Sequence, residues 1–247
     1  MARDSVATLH TWFDEATRIV FLTGAGISTE SGIPDFRSAS GIYTRGVSTN
    51  VFDINAFHLD PSLYYDFARE FCDISTKAEP NGAHQAIAEL GRRPGKEVTV
   101  VTQNIDDLHQ RAGSDPVWCV HGNLEWSRCL RCGARIKTIE LMDTIRSGAV
   151  PKHSCGGVYK PEVTFFGEML PERDFFEAQR AVSRAEVLIV VGSSLTVYPA
   201  AGLPFARRKS CHYAIINRDS TEQDGVAELV IHDTASEVLL AAVAAAT

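Results

Sequence analysis

The apolar positions of the chain follow two spacings. Val6, Leu9 and Phe13 share one face of a helix, which predicts an amphipathic helix over residues 5–17. A short continuous apolar run, residues 19–22, comes directly after it. Further runs of this kind lie at 98–101, 187–191 and 214–216. Their length and lack of alternation are typical of strands that are buried on both faces.

Helical stretches such as 81–91 separate these runs. This alternation predicts an α/β fold in which helices cover both faces of a parallel sheet. Each run ends in small or amide residues, and ligands of such sheets bind beyond the carboxyl ends of the strands. A binding site is therefore predicted at these strand ends. Residues 37–75 and 126–165 break the alternation, and we interpret them as insertions that form a second lobe.

Composition and charge narrow the class of protein. The chain has 247 residues, of which 45% are hydrophobic and 22% charged, enough for one sizeable core and a small module. A net charge of −7 argues against nucleic acid as a partner and weakly favours basic peptide segments. We see neither a signal-peptide pattern nor an apolar run long enough to cross a membrane. We therefore expect a cytoplasmic protein with no membrane partner.

A glycine-containing loop follows the first predicted strand. Gly24, Ala25 and Gly26 are placed so that the backbone can approach a pyrophosphate and donate N–H groups to it. The fingerprint of a dehydrogenase would have its third glycine where Thr29 stands, and a ribose-binding acid where the first insertion begins. The loop predicts a nucleotide site of another kind, while a role in a tight turn alone stays open.

Five ordered motifs carry a family resemblance. The loop of Asp35, Phe36 and Arg37 ends the stretch GAGISTESGIPDFRS at 24–38, which resembles the signature of the sirtuins, the NAD-dependent protein deacylases. The later motifs of that family are similar to TQNIDDLHQRAG at 102–113, HGN at 121–123, KPEVTFFGE at 160–168 and GSS at 192–194 with Asn217. This match extends over nearly the whole chain.

The resemblance implies one catalytic domain over residues 1–247. Its Rossmann-like large lobe would comprise about 1–36, 76–125 and 170–247, with a helical insertion at about 37–75 and a zinc module at about 126–169. NAD and an acetyl-lysine segment of another protein would bind in the cleft between the lobes. The implied reaction transfers the acetyl group to ADP-ribose and releases nicotinamide. An ADP-ribosyltransferase, a deacylase for another acyl group, a dehydrogenase and a non-catalytic zinc module stay open as alternatives.

The resemblance also implies site residues. NAD contacts are implied for Gly24, Ala25, Gly26, Asp35, Phe36, Arg37, Gln103, Asn104, Ile105, Asp106, Gly192, Ser193, Ser194, Asn217 and Ala235. Substrate contacts are implied for Val163, Thr164, Phe165, Phe166, Gly167 and Val197. In the family, the segment that corresponds to 163–167 pairs with the substrate backbone as an added strand. A strand of the core is the alternative for this segment.

The implied catalytic residues are His121, Asn104 and Asp106. After nicotinamide leaves, a ribose hydroxyl must lose a proton, and an imidazole with a pKa near 6.5 can accept it at neutral pH. A structural histidine is the alternative for His121. Cys119 lies two residues earlier, and we interpret it as a small packed thiol.

A third set of residues predicts a structural zinc ion, one per chain. Cys129 and Cys132 form a C-x-x-C pair, and Cys155 follows in a glycine-rich stretch that resembles a zinc ribbon. The family pattern would have its remaining cysteine where Lys152 stands, and a protonated lysine cannot coordinate zinc. His153 is therefore the best candidate for the fourth ligand. Another fourth ligand, or no zinc, stays open.

The helical insertion bears on which acyl group is removed. Sirtuins that prefer succinyl or malonyl lysine share a Tyr-x-x-Arg pair that binds the acyl carboxylate. Alignment with that helix places Ala68 and Phe71 at the two positions. Tyr65 and Arg69 are the nearest substitutes, but their separation of four residues turns one relative to the other by about 100°. Acetyl is the expected acyl group.

Overall fold

The structure is a computed structural model that describes residues 2–38 and 41–244. Its α-helices are α1 (Ala2–Glu15), α2 (Ile54–Leu59), α3 (Ser62–Lys77), α4 (Gly82–Arg92), α5 (Leu108–Ala112), α6 (Met142–Arg146), α7 (Glu172–Arg184) and α8 (Ala235–Ala244). Its strands are β1 (Arg18–Thr23), β2 (Glu97–Thr102), β3 (Val117–Cys119), β4 (Gly122–Cys129), β5 (Arg135–Lys137), β6 (Tyr159–Val163), β7 (Val187–Val191), β8 (His212–Ile216) and β9 (Leu229–Ile231). Short 3-10 helices cover Ala25–Ser31, Thr49–Phe52, Thr138–Leu141, Ala200–Ala206 and Asp224–Val226.

Six parallel strands form the central sheet, in the order β3-β2-β1-β7-β8-β9. The four apolar runs of the sequence are β1, β2, β7 and β8, as predicted. The direction of strand order reverses between β1 and β7. In doubly wound folds, the crevice beyond the carboxyl ends at such a switch point is where ligands bind. The fold therefore places a crevice between the residues that follow β1 and those that follow β7.

Helices cover both faces of this sheet. Ile19 and Phe21 of β1 pack in one apolar cluster with α1, α4 and α8. Val20 and Leu22, which point to the opposite face, pack in a second cluster with α7 and the 3-10 helix Ala200–Ala206. The predicted helix at 5–17 is α1, and the one at 81–91 is α4, whose first N–H groups are capped by the Asn81 side chain. This sheet with its helices is called the large lobe below.

The two stretches that break the alternation pack against each other. An antiparallel sheet, in the order β5-β4-β6, shares one core with α2, α3, α6 and the 3-10 helix Thr49–Phe52. Aromatic rings fill that core, including Phe52, Phe57, Tyr64 and Phe165, with ring centroids 5.2 to 6.2 Å apart. This unit is called the small lobe below. β4 crosses the expected boundary at residue 125, and the bounds of the two lobes stay a prediction.

The alanine-rich end continues α8 as far as Ala244, and residues 245–247 lie outside the described part of the chain. Among the described helices, none combines the length and the apolar character that crossing a membrane requires.

Candidate active site

A cavity of about 920 Å³ lies between the two lobes at the switch point. That volume is typical of sites for small molecules. The predicted site residues that line it are Gly24, Ala25, Gly26, Asp35, Phe36, Arg37, Gln103, Asn104, Ile105, His121, Val163, Thr164, Phe165, Phe166, Gly167, Gly192, Ser193, Ser194, Val197 and Asn217. Asp106 and Ala235 are buried outside this lining, Ala235 in the core of the large lobe at the start of α8. Contacts of any of these residues with NAD or substrate stay a prediction.

The glycines of the first loop serve a close contact between two loops. A Cβ at Gly26 would lie 2.8 Å from the Gly192 Cα, and a Cβ at Gly192 would lie 2.2 Å from the Ile27 nitrogen. The N–H groups of Gly24 and Gly26 donate to the carbonyls of Val191 and Gly192, at 3.0 and 2.8 Å. This differs from the expectation that these N–H groups donate to a pyrophosphate, because both already donate within the protein. The glycines let the loops after β1 and β7 cross at the switch point.

Asn104 is held in the cavity wall by a buried hydrogen-bond chain. Its amide Nδ2 donates to Ser28 Oγ at 3.1 Å, and Ser28 Oγ donates to Asp106 Oδ2 at 3.0 Å. Asp106 also accepts from the Leu108 N–H, and burial raises the pKa of its carboxyl. Asp106 therefore acts behind the wall, where it orients Asn104 through Ser28.

A second buried chain supports the backbone of the same loop. Asn104 N–H donates to Thr102 Oγ1 at 3.0 Å, and Thr23 Oγ1 donates to Thr102 Oγ1 at 2.9 Å. His109 Nε2 contacts Thr23 Oγ1 at 3.0 Å, and its ring lies 4.7 Å from the ring of His84. The sequence pattern did not predict a role for these residues. Its one local sign is a threonine at the last position of both β1 and β2.

His121 presents one ring nitrogen to a backbone acceptor. Its Nδ1 lies 3.0 Å from the Gln103 carbonyl oxygen, which can only accept, so Nδ1 carries the proton. Nε2 is then left with the lone pair that a general base requires. Burial lowers the pKa of the ring, which keeps it neutral at neutral pH. The Gln103 side chain in turn donates to Ser193 Oγ at 2.8 Å.

Cys119 lies apart from this chemistry. Its thiol is buried outside the cavity lining and accepts from Gln110 Nε2 at 3.4 Å. Burial raises its pKa to about 11. Because the thiolate is the reactive form, Cys119 is the inert packed thiol that we expected.

The segment 163–167 joins His121 to the small lobe. Its Thr164 N–H donates to the His121 carbonyl at 2.8 Å, and Phe166 pairs by its N–H and carbonyl with the backbone of Phe52 and Ile54. The Phe165 side chain is buried in the small-lobe core, whereas Phe166 is 44% exposed at the cavity. Part of this segment is therefore core, as the alternative interpretation had it, and part faces the cavity.

Three thiols and an imidazole form a cluster at the far end of the small lobe. The possible ligand atoms of Cys129, Cys132, His153 and Cys155 all lie within 4.8 Å of one another. Cys129 Sγ is 3.6 Å from Cys155 Sγ, and Cys132 Sγ is 3.4 Å from His153 Nδ1. Tetrahedral zinc with Zn–S bonds of about 2.3 Å places its ligand atoms at such separations. Lys152 is exposed at the surface. The set fits a structural zinc ion.

A family model described as the Sir2 family matches residues 24–199. The chain belongs to the Sir2 family. An NAD-dependent protein deacetylase of Cutibacterium acnes is 43% identical over 236 residues, which cover 93% of this chain and 94% of that protein. A Sir2 structure with a deacetylated p53 peptide and 3'-O-acetyl ADP-ribose is similar with a TM-score of 0.92 and 40% identity, and the match covers 98% of each chain. A complex named as Sir2, p53 peptide and NAD+ is similar with a TM-score of 0.85 and 41% identity over 93% of each chain.

The helical insertion of this Sir2 chain keeps its tyrosine and arginine away from the cavity. Tyr65 is buried, and its hydroxyl donates to the Tyr159 carbonyl at 2.5 Å. Arg69 forms an ion pair with Asp66 at 2.8 Å on the surface of α3. Neither side chain is part of the cavity lining. No carboxylate-binding pair is therefore formed by these two residues.

Proposed function

We propose that this Sir2 chain is an NAD-dependent protein lysine deacetylase. It transfers the acetyl group of a lysine side chain to ADP-ribose and releases nicotinamide. The observation that carries the proposal is the His121 ring in the cavity wall, anchored at Nδ1 and free at Nε2. The deacetylase name of the 43% identical relative, and the acetyl ADP-ribose and peptide bound in the similar Sir2 structure, support the same activity.

The residues at the switch point fit NAD. The cavity is large enough for a dinucleotide, and its wall carries the hydroxyls of Ser193 and Ser194 and the guanidinium of Arg37, which can bind ribose and phosphate oxygens. NAD supplies the ribose carbon that accepts the acyl oxygen, and nicotinamide is its leaving group. The Gly24 and Gly26 backbone shapes this wall, while its N–H groups are used within the protein.

The protein's own groups hold the reactants and move one proton. His121 Nε2 accepts the proton of the ribose hydroxyl, and the Gln103 carbonyl stabilises the imidazolium that forms through Nδ1. The Asn104 amide, which its hydrogen bond to Ser28 holds in place, would orient the nicotinamide group in the cavity.

The substrate is an acetyl-lysine segment of another protein. We propose that it enters beside the segment 163–167, where main-chain pairing would tolerate varied sequences. Val197 lines the cavity in the loop after β7. A zinc ion held by Cys129, Cys132, Cys155 and His153 would stabilise the lobe that carries this segment. A cytoplasmic location stays a prediction.

One assay tests the proposal against the alternatives. The protein is incubated with NAD and an acetyl-lysine peptide, and free nicotinamide, deacetylated peptide and O-acetyl-ADP-ribose are measured together. We expect all three in equal amounts, and with the unacetylated peptide we expect neither O-acetyl-ADP-ribose nor nicotinamide release. Peptide that carries ADP-ribose would indicate a transferase, and no product at all would indicate a binding module or a dehydrogenase that lacks its own hydride donor. Each of those results would overturn the proposal.

A further inference from the structure

A buried lysine lies beneath the segment 163–167. Lys160, on β6, is 5% exposed. Its Nζ lies 2.7 Å from Glu168 Oε2, and it donates to the carbonyls of Val163 and Pro161 at 2.7 and 3.2 Å. An ammonium group has three donors, so these three acceptors satisfy it. The Phe165 ring centroid lies 4.0 Å from the same nitrogen, a distance at which the ring attracts a cation.

Glu168 completes a closed loop of contacts. Its Oε2 accepts from the Phe165 N–H at 2.7 Å, and its own N–H donates to the Phe165 carbonyl at 3.0 Å. Glu168 lines the cavity, whereas Lys160 does not. Lys160 is buried while its partner Glu168 is partly exposed, and burying an ammonium group costs more free energy than burying an apolar group of the same volume. Apolar side chains would be enough to stabilise the fold here. The presence of the charged Lys160 and Glu168 therefore indicates a role beyond stability.

The contacts determine which backbone groups of the segment are used within the protein. The Val163 carbonyl accepts from Lys160, and both backbone groups of Phe165 bind Glu168. Those of Phe166 pair with residues 52 and 54. Among the described residues, no hydrogen bond is made to the Thr164 carbonyl or to the backbone of Gly167. These two cavity-lining residues therefore carry the groups that are available to a substrate backbone.

We propose that Lys160 is a positioning residue for the peptide substrate. Its ion pair with Glu168 holds the segment 163–168 in the shape that presents Thr164 and Gly167 to the cavity. The described contacts of Lys160 are with Pro161, Val163, Phe165 and Glu168, none of which is predicted to bind NAD. Loss of Lys160 should therefore weaken peptide binding and leave NAD binding unchanged. The inference rests on the proposed function, because it assumes that an acetylated peptide binds beside this segment.

The test replaces the ammonium by an apolar group of similar length, Lys160→Met, in the full chain with zinc. We expect the Kd of an acetyl-lysine peptide, measured by fluorescence polarisation, and its KM to rise at least about tenfold, because charge-assisted hydrogen bonds are lost. The kcat at saturating peptide and the Kd of NAD should stay within about threefold of the parent.

The matched control is Glu162→Gln on the same strand. Its carboxylate pairs with Arg128 and Arg135 at the surface, and it lies outside the cavity lining. Surface ion pairs contribute little, so peptide Kd, KM and NAD affinity should all stay within about twofold of the parent. A peptide effect of equal size in this control would overturn the special role of Lys160.

Glu168→Gln and the double variant complete a cycle and provide a test if Lys160→Met does not fold. If the two side chains act through one contact, the double variant should bind peptide no more weakly than the worse single variant. An unchanged peptide Kd in a folded single variant would overturn the inference. Equal losses of peptide and NAD affinity, with lowered thermal stability, would show a structural role and overturn it as well.

The parent protein separates this inference from the proposed function. Selective binding of the acetylated over the unacetylated peptide, with formation of the three products, establishes the reference. If the parent fails that step, the proposed function fails and this inference fails with it. If the parent succeeds and the Lys160 and Glu168 variants bind peptide as the parent does, only the role of Lys160 is refuted.

Discussion

The two lobes are stabilised in different ways. In the large lobe, β1 and β7 bury nearly every side chain between two layers of helices, so apolar packing on both faces maintains the sheet. In the small lobe, a three-stranded sheet whose edge strand β5 has three residues depends on aromatic rings, the ion pair of the buried Lys160 with Glu168 and a thiol–imidazole cluster. Hydrophobic pattern suffices for the first lobe, whereas the second needs particular chemical groups.

The difference matters because the cavity lies between the lobes. The residues that we propose to bind NAD lie mainly in the loops after β1, β2, β7 and β8 of the large lobe, whereas those proposed to bind substrate, apart from Val197, lie in the segment 163–167 beside the small lobe. Damage to the small lobe should therefore affect peptide binding before it affects NAD binding. The predictions below test this separation, in order of decreasing effect.

The largest effect is expected at the zinc cluster. Cys129→Ser or Cys132→Ser should lower bound zinc from about one per chain to nearly none, with loss of stability and activity, because structural zinc contributes directly to folding. Metal analysis and thermal unfolding provide the measurements. Cys72→Ser is the matched control, because this buried thiol belongs to the same core but not to the cluster, so its zinc content should be unchanged.

An active protein without zinc would refute the dependence of the small lobe on metal. His153→Ala tests the fourth ligand separately. Its Nδ1 lies 3.4 Å from Cys132 Sγ within the cluster, so this nitrogen is the expected ligand atom. We expect reduced zinc occupancy in this variant. Full occupancy would show that another group is the fourth ligand.

The next effect is expected at the junction of the lobes. His121→Ala removes the base but leaves the loops after β1 and β7 intact, so deacetylation should fall by at least about a hundredfold while the fold persists. The Kd of NAD should change by less than about threefold. Circular dichroism and NAD titration are the controls. Activity within about tenfold of the parent would contradict the assignment of His121 as the base.

The third effect concerns the acyl group. The kcat/KM for an acetylated peptide should exceed that for the same peptide succinylated by at least about a hundredfold, or about 2.7 kcal/mol. Tyr65 is buried with its hydroxyl on Tyr159, and Arg69 is paired with Asp66, so neither offers the succinyl carboxylate a partner. A succinyl carboxylate that is buried without a partner costs free energy, which the neutral acetyl group avoids.

A butyrylated peptide is the matched control for chain length, because it has the four carbons of succinyl without the carboxylate. It should react faster than the succinylated peptide if charge is the cause. If the kcat/KM for the succinylated peptide equals or exceeds that for the acetylated peptide, then Arg69, or a residue that we have not identified, binds the carboxylate.

The large lobe was also the more predictable of the two from sequence. Continuous apolar runs identified β1, β2, β7 and β8, and their order with the helices indicated a parallel sheet. The chain of Thr23, Thr102 and His109 was missed because it depends on register. Thr23 lies opposite Thr102 only once β1 and β2 are paired. Local spacing carries no information on such pairing.

In the small lobe, the spacing of residues along the chain predicted less of the structure. The thiol cluster was predicted because C-x-x-C is a local pattern with a chemical meaning. The ion pair of Lys160 and Glu168 joins residues eight positions apart around a turn, and no spacing rule indicates it. The close packing of Gly24 and Gly26 against Gly192 was not predicted for the same reason, since Gly192 is distant in sequence.

The smallest effect is expected in the core of the large lobe. His84 and His109 are fully buried, and burial lowers the pKa of His84 to about 4 and that of His109 well below its ordinary value. The unfolded chain binds protons at these rings near pH 6.5, whereas the folded protein does not. Stability is therefore fully present above pH 6.5 and falls as the pH drops toward the folded pKa values.

At pH 5.5, the loss for His84 should be about 1 kcal/mol relative to neutral pH, measured by urea unfolding. Release of zinc in acid would add its own loss, so the quantity to compare is the difference between the parent and His84→Gln. That variant is less stable at every pH, but its stability should fall less steeply below pH 6.5. His58→Gln, at an exposed position of α2, should keep the slope of the parent. If the unfolding free energy of His84→Gln falls with pH as steeply as that of the parent, then burial does not hold the His84 ring neutral. Water would then reach the core of the large lobe more readily than its packing indicates.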